Sequence, residues 1–491
     1  MNLDVVPELH GKIKVLQSYI GSWLSLDTLD PEKSIAVEQI SHALGDPPDL
    51  AHRQIISPGS EGFTAHLLFF SSGVDDQLLT QGIISPLLKS PKSPQDLMLA
   101  PLSSLDSVTQ ATDALLDYKV VIGVEGWSHW YAADASKPPH RAIVEPSNAK
   151  VTHGPHEGFV EDLETNMILL RKYLRTPFVR IEKVTLGFWT HTAVWLVYLE
   201  GKTPTTVVRW VRHRLYKMPL QGLVDSSRIA MAMGGPVVIP SLQYSERPDQ
   251  VAAGLLAGRA AILMNGTPSV LLAPARLSDL MTSPGDYYQL AVTASMTRLL
   301  RYGGLVVTTT LPALYVAALT VNPSFIPLPL YLTTIRTRLS IPFPAIIETI
   351  LMLLVVDMVQ EAGLIMPGVL GQTVTVFGTL ILGDAAIKSG IVSAPTLITV
   401  TIAMLAQFLI PDANVSSLAR LIRYALIPVA AIFGFAGIVS GWMMLLGMAV
   451  RVSTANAPYL SPLAPIRPGG WRDTLLRLPT NKRQASARNS S

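Results

Sequence analysis

Three carboxylates stand in one apolar run. The segment from Pro342 to Gly363, PFPAIIETILMLLVVDMVQEAG, carries Glu348, Asp357 and Glu361. An acidic side chain at a bilayer centre costs about 2.5–3.5 kcal/mol on insertion scales. Three of them call for an interface, a protein interior or a water-filled path, and acids on such a path serve ions or protons. At about 100° per residue, Asp357 and Glu361 fall about 40° apart, whereas Glu348 lies about 180° from Asp357. One stripe cannot hold all three. Glu348, deepest in apolar sequence, is expected to face water or a partner subunit, and Asp357 and Glu361 an interface or subunit contact near the helix end. Asp384 and Lys388 are spaced for a helical ion pair; a salt bridge at the end of a span is preferred there to an ion site.

Other chemistry finds little support. Gly201-Lys202-Thr203 resembles the end of a phosphate-binding loop, but Leu196 stands where the first glycine is needed, so the backbone cradle is missing. His153 and His156 flank a Gly-Pro turn near Glu157, and two imidazoles without further ligands are weak metal binders. There is no nucleophile elbow and no HExxH helix. The chain has no cysteine, which removes thiol chemistry and thiolate metal sites. No enzyme and no cofactor is expected. A net charge of +3 without a basic, aromatic-interleaved patch argues against nucleic acid.

The elements that must position these residues fall into two halves. From Gly303 onward only six acids occur, Glu348, Asp357, Glu361, Asp384, Asp412 and Asp473, against 35 in the 491-residue chain. The N-terminal half reads as water-soluble, and the start lacks the apolar core of a cleaved signal. In it, a strand, two helices and a hairpin succeed one another at 63–134 and again at 190–275. Asn265-Gly266 reads as a two-residue hairpin turn. A long connecting helix, about Phe159 to Leu174, lies between. Trp127 and Trp130 fall on opposite faces of their strand and read as packing residues.

The C-terminal half offers apolar segments at 303–320, 342–363, 369–386, 394–410 and 424–450. The last is rich in glycine, and the tail from Arg451 holds seven cations against Asp473. Cytoplasmic ends need an even number of crossings. Four result if the acidic segment does not cross fully; that count is narrowly preferred, although it puts Arg420 and Arg423 outside, against the charge rule. Five follow if every segment crosses once, and six if the last run is a bent pair. The expected fold is an α/β N-terminal soluble region of two related subdomains, followed by an α-helical polytopic membrane domain. Its parts are an extension 1–57, a first subdomain 58–150, a connecting helix and second subdomain 151–300, a membrane domain 301–452 and a basic tail 453–491.

Several long blocks, in order, carry a resemblance: HGPHEGFVEDLETNMILLRKYL, YSERPDQVAAGLLAGRAAILMNGTPSVLLAPA, SPGDYY, LPALYVAALT, IPFPAIIE, QEAG, LILGDAAIKSGIVSAP and YLSPLAP. On them the chain resembles the A subunit of the GerA-type spore germination receptors, a group that includes SpoVAF-type proteins. The resemblance implies a homo-oligomeric protein of the spore inner membrane with a large cytoplasmic N-terminal region. Its implied partners are membrane lipid, a B-type transporter-like subunit that binds nutrient and a C-type lipoprotein. It implies ion release, the A subunit forming the channel, with Glu348, Asp357 and Glu361 on the candidate ion path. The alternative is a non-conducting assembly or signalling subunit. Members of the family often carry an acid where this chain has Leu353 and Gln where it has Asp384.

Overall fold

In a computed structural model, the residues described are 28–30, 32–56, 64–89, 93–94, 97, 102–136, 154–218, 221–233, 239–366, 378, 381–465, 474 and 476–477. They fall into two units. One comprises Met1–Met233 and Leu242–Pro274, the other Gly234–Ser241 and Ala275–Ser491.

The first unit is a repeat, and a fuller one than the sequence pattern suggests. Its first half runs α1 (Lys33–Leu44), β1 (Leu50–Ile56), β2 (Thr64–Phe70), a π-helical stretch (Leu78–Ile84) continued by Ser85–Leu88, β3 (Ser103–Leu105), α2 (Val108–Leu116), β4 (Val120–Val124) and β5 (Trp130–Ala133). The second runs α3 (Leu163–Tyr173), β6 (Val179–Leu186), β7 (Thr192–Leu199), α4 (Thr205–Tyr216), α5 (Ser226–Met233), β8 (Gln243–Ser245), α6 (Pro248–Leu256), β9 (Ala260–Met264) and β10 (Val270–Ala273). The sheets have the same strand order, β1-β2-β4-β5-β3 and β6-β7-β9-β10-β8, and every pairing between these strands is antiparallel.

Two boundaries are thereby corrected. Residues 33–56 are not part of an extension: α1 and β1 belong to the first repeat, and a boundary at 57 cuts the β1–β2 hairpin. The helix at 159–174 is not a connector but α3, the counterpart of α1. The edge strands explain the misreading. β1 exposes His52, Arg53 and Gln54 in succession, so it shows no alternation, and β3 and β8 have three residues each.

Packing accounts for the apolar strands. Leu68, Phe70, Val121 and Trp130 pack with α1 and α2, while Leu67, Phe69, Ile122 and Val124 pack with Leu79, Ile83 and Leu87. A sheet covered on both faces reads as continuously apolar, as β2 and β4 do. Trp127 joins the second cluster and Trp130 the first, on opposite sides as expected. In the second sheet, α3 and α6 cover one face through Met167, Leu170, Val251 and Leu255. Gly126 and Gly266 hold positive φ angles of 92° and 89° in equivalent turns. Each turn is longer than two residues: Leu271 pairs with Ile262 and Ile122 with Tyr131, which leaves 265–268 and 125–128 to reverse the chain.

The second unit is helical. Its long helices are α7 (Ala291–Thr320), α8 (Leu328–Arg338), α9 (Ala345–Ile365), α10 (Ala394–Gln407) and α11 (Ala413–Arg451). Two of them, α7 and α11, are long and apolar enough to cross a membrane. α11 is not one rod. Gly434 takes φ 61° and ψ −142°, and beyond it the chain doubles back. A Cβ on Gly441 would sit 2.5 Å from Leu426, and one on Gly437 would sit 2.7 Å from the Val429 carbonyl. In a straight helix those partners stand more than about 10 Å apart. Asn322 caps the break, accepting from the Phe435 N–H at 3.0 Å. The last apolar run is therefore a helical hairpin, where the four-crossing count takes it as a single span.

Candidate functional site

α9 packs against α7, α10 and α11 by one side and leaves the other exposed. Pro342 and Pro344 precede it, and Met352, Leu353 and Val356 pack with Ala313 and Val316 of α7, Val400 and Met404 of α10, and Leu426 and Ile427 of α11. Leu353 is thus a core residue here.

Glu348, in the first turn of α9, is fully buried. Its Oε1 accepts from the Ser393 N–H at 2.6 Å and the Ser393 hydroxyl at 2.7 Å. Ser393 is the N-cap of α10 but does not cap that helix with its own side chain. The glutamate takes that place, at the positive ends of two helix dipoles. Its Oε2 lies 3.2 Å from an Arg338 guanidinium nitrogen, at the end of α8. Hydroxyls extend the cluster: Ser393 Oγ lies 2.9 Å from Thr396 Oγ1, which donates to Tyr315 of α7 at 2.9 Å. α8 and the start of α10 meet on the carboxylate of α9, and α7 joins through Thr396. Glu348 faces neither water nor the chain's surface, in contrast to the expectation: two donors on Oε1 and the Arg338 cation beside Oε2 hold it inside the bundle.

Asp357 is partnered too. Arg423 Nη2 reaches both carboxylate oxygens, at 3.0 and 3.1 Å, and the Tyr424 hydroxyl donates at 2.7 Å. Arg420 stands 3.9 Å away. Behind Arg423, Gln407 accepts at 3.2 Å and donates onward to Ser416. Asp357 is therefore a tie from α9 to α11 rather than a helix-end interface group. The half-turn between Glu348 and Asp357 sends one to α8 and α10 and the other to α11. Glu361 is the one acid of the three that is exposed. Asp384 and Lys388 form a 2.7 Å pair, both mostly exposed.

One cluster had no reading in the sequence. Asp286, in SPGDYY, is buried and bound by Arg298 at 3.2 Å and by Arg301 at 2.6 and 2.8 Å. An acid 12 and 15 residues ahead of the two arginines was the available signal. Arg477 closes over the same loop, donating to the Asp286 and Tyr287 carbonyls at 2.6 and 2.8 Å.

The remaining motifs are structural. Thr203 of Gly201-Lys202-Thr203 stitches a strand–helix turn, its hydroxyl donating to the Arg259 carbonyl at 3.2 Å. Glu157 is held by Lys172 and by the Tyr173 hydroxyl at 3.1 Å, and His153 lies outside the described residues. No group of three or more metal-ligating His, Cys, Asp or Glu occurs among the described residues.

A duplicated α/β unit joined to an apolar helical unit with internally paired acids defines the class. The family model described as Bacillus/Clostridium GerA spore germination protein matches residues 38–489. The chain belongs to that family, which gives it a role in spore germination. It is 30% identical to spore germination protein KA of Bacillus subtilis (strain 168) over 464 residues, 92% of this chain and 85% of that one. It is 29% identical to spore germination protein A1 of the same organism, over 88% of this chain and 91% of that one. The uncharacterized membrane protein YfkQ, also from Bacillus subtilis, is 34% identical over 76% of this chain and 73% of its own. The crystal structure of the N-terminal domain of the A subunit of the Bacillus megaterium spore germinant receptor GerK3 aligns with 51% of this chain and 97% of its own, at 23% identity and a TM-score of 0.41.

Proposed function

We propose that this chain is the A subunit of a germinant receptor in the spore inner membrane. It forms a homo-oligomeric ion channel that opens when a B-type transporter-like subunit, acting with a C-type lipoprotein, binds nutrient. The observation that carries the reading is the outward stripe of α9. Ile347, Leu351, Leu354, Met358 and Ile365 are 40–79% exposed, and Glu361 is exposed with them. At about 100° per residue all six fall within about 40° of one line. Lipid suits the five apolar residues but not the acid. The outward side chains of α11, Ile432, Phe433, Val439, Met443 and Met444, are uncharged and suit lipid throughout. A ring of α9 helices would instead put an apolar collar around the axis, which closes a pore by dewetting, with a ring of Glu361 carboxylates favouring cations.

The hairpin at Gly434 bears on topology. With the last run counted as two crossings and 369–386, which lies largely outside the described residues, kept as the one its sequence suggests, six crossings keep both ends on the cytoplasmic side. Arg420 and Arg423 then lie at the cytoplasmic end, in accord with the charge rule.

The test is cation release from spores carrying the full chain with its partner subunits. Leu354→Asn wets the collar and is expected to give release without nutrient; Glu361→Lys is expected to abolish the cation preference. Unchanged release in both would overturn the assignment of this stripe. Protein that oligomerises in reconstituted membranes yet never conducts, with or without partners, would place the chain in the assembly and signalling role.

A further inference from the structure

The second sheet of the N-terminal unit presents an apolar tip at one end. The β6–β7 loop carries Phe188 and Trp189, 70% and 77% exposed, their rings 5.1 Å apart in an edge-to-face pair. The loop is stitched to residues 221–225. The Trp189 N–H donates to the Gln221 carbonyl at 2.9 Å, the Leu223 N–H to Thr190 Oγ1 at 3.0 Å, and the Thr192 hydroxyl to the Leu223 carbonyl at 2.8 Å. Val224, 75% exposed, is held beside the aromatic pair by this stitching.

Cations gather at the same end on the α4 and α5 side, while the exposed Glu161, Asp162 and Glu164 stand at that end beside the β9–β10 turn, where the Gly266 N–H donates to the Glu161 carbonyl. β7 finishes at Leu199, opposite Val179, at the far end of the sheet from the loop. α4 starts there and returns alongside β6, with Arg212 paired to Glu182 on the way. Its last turn, with exposed Arg214, Tyr216 and Lys217, therefore arrives at the loop end. Arg228 of α5 lies across the second loop, donating to the Gly222 carbonyl at 3.2 Å. From Gly201 to Val224 there is no acid. Asp225 is engaged locally, accepting from the Ser227 N–H at 3.2 Å.

We propose that this tip is an interfacial membrane anchor that seats on an anionic lipid surface. Exposed large apolar side chains on a braced loop need a cover. Tryptophan, phenylalanine and tyrosine beside lysine and arginine are the side chains that partition into the headgroup layer. Each cation near an anionic surface adds about 1 kcal/mol, roughly fivefold in partition. A basic rim favours such a surface over a second copy of the same tip, which would bring like charges together. The proposal does not rest on the channel reading, since it concerns the N-terminal unit alone.

The chain lacks cysteine, so one introduced thiol gives one label site. Val224→Cys in the full chain, carrying an environment-sensitive fluorophore, is reconstituted in bilayer discs of phosphatidylcholine alone or enriched in phosphatidylglycerol. Both disc types contain lipids that bear a quencher at the headgroup. A label at Thr206→Cys, at the opposite end of α4, serves as control. The expected result is strong quenching at position 224 in the anionic discs only, little at 206, and at least a fivefold loss on Lys217→Glu with Arg228→Glu. Phe188→Ser with Trp189→Ser is expected to abolish it while the 206 signal stays unchanged. A label at 224 that remains unquenched in both disc types overturns the proposal. So does protection that ignores lipid charge but rises with the number of copies per disc, which would assign the tip to a protein partner.

Discussion

The two faces of α9 treat acidic side chains in opposite ways. On the two flanks of the inward side, half a turn apart, Glu348 is buried beside Arg338 and Asp357 is held half-buried by Arg423, with Ser393 donating to Glu348 Oε1 and Tyr424 to Asp357. On the outer face, Glu361 ends a row of exposed apolar side chains. Acids in an apolar run are thus not one functional signal. Those with a fixed cation hold helices together, and only the outward one is placed to meet water, ions or another subunit.

The largest expected effect comes from unpairing the inner face. Glu348→Ala or Arg338→Met alone leaves a buried charge and should cost about 3–5 kcal/mol, read as thermal unfolding of the full chain in detergent. Glu348→Leu combined with Arg338→Met should recover most of that loss. If the single changes leave stability intact, Glu348 is hydrated and the contrast between the faces fails.

Next comes the hairpin of α11. Gly434→Ala would put a Cβ 2.1 Å from Asn322 Oδ1 at a left-handed position, an expected loss of about 1–3 kcal/mol in the same unfolding measurement.

The first sheet sharpens the comparison, since it brings titratable groups together uncharged. His52 Nε2 and His66 Nδ1 lie 3.0 Å apart with stacked rings. Burial, and for His52 the neighbouring imidazole, holds both below the ordinary value, while Glu125 pulls His66 partly back. The unfolded chain therefore takes up protons first as pH falls through about 6.5. Stability should be full above that value and decline below it, down to the folded-state pKa values. His52→Gln should flatten this decline in a pH series of unfolding midpoints.

Smallest are the exposed groups. Glu361→Gln and Asp384→Asn should each change stability by less than about 0.5 kcal/mol. A larger loss for Glu361→Gln would show that it has a structural partner after all.

Much of the repeat was legible, because β2, β4, β7 and β9 are apolar runs and α4 and α6 carry clear helical spacing. The edge strands β1, β3 and β8 were not, because β1 exposes three successive residues and β3 and β8 are too short to show an alternation. The same holds for α3: its periodicity gave a helix, but its equivalence to α1 appears only in the pairing of the two sheets.

For the acids, the division is sharper. Sequence by itself determined that Glu348, Asp357 and Glu361 could not share a stripe, since 3.6 residues per turn fixes their angles. It also determined that an apolar half follows a polar one, and which family the blocks resemble. Only the tertiary structure decided which acid turns outward. Arg338 and Arg423 lie 10 and 66 residues from their carboxylates, and no local rule brings them there. The packing of α8 and of the first leg of α11 against α9 sets those distances, and with them the choice of Glu361.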